Sequence, residues 1–138
     1  MNGSELDFWL GSWHARWEGG EGTNTITREF DDRVVVERFE GRPSMELTGF
    51  SVSVFDAEAD VWRQTWVDDQ GGYFALTGGS EDDTFVLRMS TVRGGAPVEL
   101  RMVFCDIDAD RFRWVWERST DGGRTWAVGW EIAYTRTG

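Results

Sequence analysis

The chain has 138 residues, 40% hydrophobic and 28% charged, the proportions of one globular domain over residues 1–138 rather than a disordered chain. Its formal net charge of −11 repels phosphate backbones and anionic lipid, which argues against nucleic acid and membrane as partners. Nine Trp and nine Phe are many for this length, and such side chains dominate whatever core or cavity the chain builds.

At the start of the chain, Ser4 and Asp7 stand at capping-box spacing, Leu6 and Leu10 lie one turn apart, and Gly11 follows. The spacing predicts one or two helical turns ended by Gly11, suited to plugging the end of a barrel. The opening MNGSELDFWLGSW is acidic where an export signal would be basic, and no apolar run is long enough to span a bilayer, so a cytoplasmic location is expected. A single cysteine, Cys105, has no partner for an internal disulfide.

From there the sequence alternates between apolar and polar residues, broken at regular intervals by clusters such as GGEG (19–22), DAEAD (56–60), DDQGG (68–72), RGGAP (93–97) and DGG (121–123). Gly supplies positive φ in tight turns and Asp bonds its own backbone there. Nine such turns separate ten short segments, with no long helical pattern between them. The fold expected is all-β: a roughly ten-stranded antiparallel up-and-down barrel, because ring closure removes the two exposed sheet edges. Barrels of about eight strands can already hold one small ligand, so ten imply an interior space.

Parity within each segment sets an inward apolar face: Trp13, Ala15 and Trp17; Trp62 and Trp66; Phe85, Leu87 and Met89; Leu100, Met102 and Phe104; Phe112, Trp114 and Trp116; and Trp126, Val128, Trp130, Ile132 and Tyr134. Segments 34–39, 48–55 and 73–77 are apolar on both faces or ambiguous, which leaves their orientation open and suggests an exterior covered by a second copy in a homodimer.

Several stretches resemble the calycin superfamily of lipocalin-like barrels. Gly11-Ser12-Trp13 opens the first strand as that group's Gly-x-Trp does, and Tyr134-Thr135-Arg136 closes the last, where the family sets an Arg over that Trp. A guanidinium stacked on an indole and bonded to nearby carbonyls would seal the barrel end. The FWLGSW start, the central WRQTWVDD and the terminal YTR are most similar to those of short bacterial lipocalin-like proteins of unassigned function. In the neighbouring nitrobindin-like haem barrels a late histidine holds the iron. The one histidine here, His14, sits in the first strand on the outward face, and no haem or other cofactor is expected.

Three motifs receive structural readings. Ser119–Trp126 fits S-x-D-x-G-x-T-W, the Asp-box hairpin that sialidase-like propellers repeat in every blade; occurring once, it is a turn. Asp106, Asp108, Asp110 and Glu117 imitate calcium-loop spacing, yet Arg111 stands where Gly is needed and FRWVWER alternates as a strand. One His and one Cys assemble neither a zinc set nor a Cys–His pair, so no metal is expected.

Candidate site residues are those of the inward face that suit a small apolar ligand. Trp62, Trp66, Trp114 and Trp116 would form the walls, and Met89 and Met102 adaptable fill. Gln64, between Trp62 and Trp66, with Glu37 or with Arg118, toward the rim, would orient the ligand or pair internally, and Asp68 would cap its loop or line the mouth. Glu37, between Val35 and Phe39, is the one candidate catalytic group should the cavity host an isomerase, cyclase or lyase instead. A third reading is a dimeric interaction module with a filled interior.

Overall fold

The computed structural model describes residues Met1–Gly138 and contains ten strands. They are β1 (Gly11–Trp17), β2 (Gly20–Glu29), β3 (Val34–Glu40), β4 (Thr48–Asp56), β5 (Val61–Asp68), β6 (Tyr73–Glu81), β7 (Thr84–Arg93), β8 (Ala96–Cys105), β9 (Arg111–Ser119) and β10 (Ala127–Arg136). Each pairs antiparallel with its neighbours in sequence, and β1 pairs with β10 to close the ring. The expected up-and-down barrel is what the chain forms.

The four turns at one end of the barrel each place an aspartate in the left-handed region, namely Asp32, Asp60, Asp82 and Asp106. Asp tolerates that conformation because its short side chain can bond the local backbone. At the opposite end, the Asp-box segment makes the β9–β10 turn: Asp121 accepts the amides of Arg124 and Thr125 and the Ser119 and Thr125 hydroxyls, which hold its carboxyl well below the usual range. The Asp106–Asp110 segment is likewise a turn, with Asp108 accepting the amides of Asp110 and Arg111, while Glu117 lies in β9 and accepts from Arg101 at 2.9 Å. His14 faces outward, 3.0 Å from Glu21.

Residues 1–10 cross the aspartate-turn end and plug it, but not as the helix expected from Ser4, Asp7 and Gly11. Only a single 3-10 turn forms, Asp7–Trp9, with no side-chain cap; the Ser4 carbonyl accepts the Asp7 amide and its hydroxyl donates to Asn2. One or two helical turns do not repay the cost of nucleation, whereas burial of Leu6 and Trp9 pins the segment into the barrel end. Trp9 and Phe8 set their rings edge-on to Phe104 at 5.3 and 5.8 Å.

Gly11 opens β1 instead of ending a helix. Its φ is +122°, and a Cβ there would fall 2.5 Å from Arg136 Nη1, so any other residue would displace the guanidinium. Arg136 lies 4.2 Å over the Trp13 ring and donates to the carbonyls of Phe8, Leu10 and Ala109. Trp13 in turn donates its indole N–H to the Trp9 carbonyl at 2.8 Å. First strand, last strand and plug are therefore one clasp.

The alternation also needs one correction. Trp126 and Val128, expected inside, lie outside: Val128 is exposed, and Trp126 packs under the Arg101 guanidinium at 3.9 Å. A bulge between Val128 and Trp130 puts two residues of β10 opposite one of β9, so Val128 sits across from outward Glu117 and Trp130 across from Trp116. Such an insertion reverses parity on one side of it.

The ambiguous strands resolve through burial. Val35 and Phe39 face inward with Glu37 between them; on β4 the inward residues are Gly49, Ser51, Ser53 and Phe55; on β6 they include Phe74 and Leu76. The outer face of β4–β6 is left with exposed Phe50, Val54, Val67 and Tyr73.

Candidate functional site

The two walls of the interior differ in chemistry. Strands β2–β5 contribute a buried polar stripe of Asn24, Glu37, Ser51, Ser53 and Gln64. Across from it, β8–β10 present Met102, Phe104, Trp114, Trp116, Trp130 and Ile132. Against the aromatic wall lies a cavity of about 210 Å³, which meets only Glu37 of the polar stripe, is floored by Trp9 of the plug and reaches Leu47 and Asp68 at the far end. Twelve of its fourteen lining residues are hydrophobic, and the two exceptions are Glu37 and Asp68.

The rings of the aromatic wall pack against one another. Trp130 is the hub, edge-on to Trp17, Phe39 and Trp114 at 5.4, 5.8 and 5.6 Å. Trp114 and Trp116 lie parallel at 6.2 Å, and Phe74 packs 5.1 Å from Trp116. Trp114 directs its N–H to the Met102 sulfur and Trp66 directs its own to Asp68. The Trp130 N–H is buried in the same wall with no acceptor. A buried donor left unpaired costs about 1–3 kcal/mol, and the packing of this wall carries that cost.

Glu37 is the chemical centre of the polar stripe. Its Oε1 accepts the Ser51 hydroxyl at 2.6 Å and its Oε2 accepts the Asn24 amide at 2.8 Å. Those two bonds favour the carboxylate, but burial outweighs them and pushes the group above the usual carboxylate range. Asn24 also reaches the Tyr134 hydroxyl at 3.4 Å, while its own Oδ1 has no partner. Burial, reinforced by the charge of Glu37, raises the Tyr134 phenol well above its ordinary value, so it remains a protonated donor. At the mouth, Asp68 accepts the Gln70 and Gly72 amides and the Trp66 indole, and these bonds keep it ionised below the usual range.

Of the residues expected from sequence, the structure brings Glu37, Trp66, Asp68, Met102, Trp114 and Trp116 together around the cavity. Trp62, Gln64, Met89 and Arg118 are not among its lining. Trp62 is inward but belongs to the plugged end, where its N–H meets Glu5 at 2.9 Å. Gln64 is buried and donates to Ser53, with its Oε1 unpaired. Met89 packs half-buried against the core, and Arg118 is exposed. Sequence reasoning passed over Trp9, Phe39, Leu47, Phe74, Phe104, Trp130, Ile132 and Tyr134 as site residues. For Phe104, Trp130, Ile132 and Tyr134 the inward parity was a usable signal. Trp9 and Leu47 lie outside any strand and carried none.

Comparison with known families and with curated proteins finds no match to this chain.

Proposed function

We propose that the barrel binds a small, planar, largely apolar molecule inside its cavity, and that the chain is a lipocalin-like binding protein. The observation that carries this reading is the 210 Å³ space between indole walls that the chain's own side chains leave empty. An apolar cavity of about 150 Å³ takes up benzene, so this one suits about eight to ten non-hydrogen atoms. Pockets of this type are mostly apolar with a few placed polar groups, and here those groups are Glu37 and Asp68. The Trp13–Arg136 clasp behind Gly11 supports the lipocalin-like part of the proposal.

Titration with 2-phenylethanol, followed by quenching of tryptophan fluorescence, tests the reading; saturable binding is expected. Gly49→Ala provides the control. A Cβ at Gly49 would lie 2.0 Å from Trp66 Cη2, so the indole must swing away, and the side toward the lumen is the empty one. The variant should lose at least about tenfold in affinity, or 1.4 kcal/mol. Unchanged binding by a folded Gly49→Ala chain would place the ligand elsewhere.

A second reading, acid–base catalysis, is favoured by one observation: Glu37, with its raised proton affinity, faces the same cavity as the Tyr134 phenol. Turnover that disappears in Glu37→Gln while the bound molecule is retained would select it over simple binding.

A further inference from the structure

The ionisable groups facing the cavity are, the Tyr134 phenol apart, of one sign. Glu37 and Asp68 contribute carboxylates, and none of the fourteen basic residues, all of them arginine, lines the space. Glu37 is the unusual member. Its two oxygens each accept one hydrogen bond, an arrangement that suits a charged carboxylate, yet no arginine approaches it. A carboxylate offers about four lone-pair positions, so two are left unused here. A buried charge without a counter-ion is costly, and the open volume beside Glu37 is where a counter-ion can sit.

The remaining walls suit the same guest. Ring faces carry negative potential and attract cations, indole most strongly. Trp66, Trp114, Trp116 and Trp130 all line the cavity with Glu37. Asp68 places a second negative group at the mouth, and the overall charge of −11 concentrates cations around the molecule.

We infer that the ligand is an organic cation, a primary or substituted ammonium on an aromatic or short alkyl frame, with its nitrogen at Glu37 and its apolar part among the indoles. This rests on the binding reading above and adds the charge class. Organic acids, which lack any cationic partner in the cavity, are rejected.

The test compares three probes on one frame: phenethylamine, 2-phenylethanol and phenylacetate, titrated by calorimetry at mildly alkaline pH. The amine is expected to bind at least about tenfold tighter than the alcohol, and the acid not measurably. In Glu37→Gln the amine should lose its advantage over the alcohol. Alcohol and amine bound alike, or the acid bound as well as either, overturns the charge assignment and leaves the binding reading standing. Failure of all three to bind overturns both. The comparison on the unmodified protein decides the matter even if the variant does not fold.

Discussion

Trp13→Ala is expected to lower the unfolding free energy by about 3–5 kcal/mol, the range for truncating a buried Trp. That is a large share of the roughly 5–15 kcal/mol that holds a domain folded. Trp13 is 1% exposed, packs edge-on to Phe112 at 4.8 Å, and supplies the ring on which Arg136 rests. Its removal therefore opens a void and withdraws the support of a guanidinium that ties Phe8, Leu10 and Ala109 to the last strand. Arg136→Lys tests the second part separately. A single ammonium cannot reproduce the planar fork over the indole with three carbonyls around it, so a loss of about 1–3 kcal/mol is expected. Urea unfolding followed by far-UV circular dichroism measures both, free of the fluorescence change that losing a Trp brings. Because the two residues touch, the double variant should lose clearly less than the sum of the single losses. Additive losses would show that the clasp is two unrelated contacts.

The second large effect concerns pH. Glu37 sits above its ordinary range in the folded barrel, chiefly through burial, so the native chain holds that proton more tightly than the unfolded one. Its contribution to stability is then fully present below the ordinary carboxylate range. It is lost as pH rises from there through the raised native value. Glu37→Gln carries no charge at any pH and should remove this loss. The difference between the two chains is expected to be small in acid and to grow to about 1–3 kcal/mol in favour of the variant on the alkaline side, the scale of an incompletely compensated buried polar group. Gln can also be accommodated in the stripe: its oxygen can accept from Ser51, and once the Asn24 amide turns over, exchanging the Nδ2 that now faces residue 37 for Oδ1, its NH2 can donate to that oxygen. Among the groups lining the cavity, only Tyr134 and Asp68 also titrate; the first stays protonated and the second ionised across that window. Paired urea melts over a pH series give the difference curve directly. A variant less stable than wild type at alkaline pH would mean that Glu37 has a cationic partner or a far weaker burial penalty than its position implies.

Stability and ligand choice meet at this one residue. An uncharged Gln gives a firmer barrel, whereas a carboxylate held without a counter-ion keeps interaction energy in reserve for a cation that enters. The pH series and the probe series thus examine the same charge from opposite sides, one in the empty cavity and one in the filled.

How far the sequence reached follows from what alternation encodes. Period-two patterning and the spacing of Asp and Gly clusters were enough for ten strands, their order and the ring. They also sufficed for the inward faces of β5 and β7–β9, because a strand with one apolar face has only one way to bury it. The clasp was legible only through the resemblance of Gly11-Ser12-Trp13 and Tyr134-Thr135-Arg136 to lipocalin-like barrels; by local pattern Gly11 read as the end of a helix, and its contact with Arg136 belongs to the tertiary structure. Parity, however, reports which side a residue faces and not how far along the barrel axis it sits. Trp62 and Trp66 share a face, yet one belongs to the plugged end and the other to the cavity. Where both faces are apolar, as in β3 and β4, only packing against the other strands chose between Glu37 or Val36 and between Ser51 or Phe50 as the inward residue. The bulge at Gly129 inverted Trp126 and Val128 because one inserted residue is invisible to a pattern that assumes none. Leu47 and Trp9 reached the cavity from a loop and from the plug, brought there by chain closure alone.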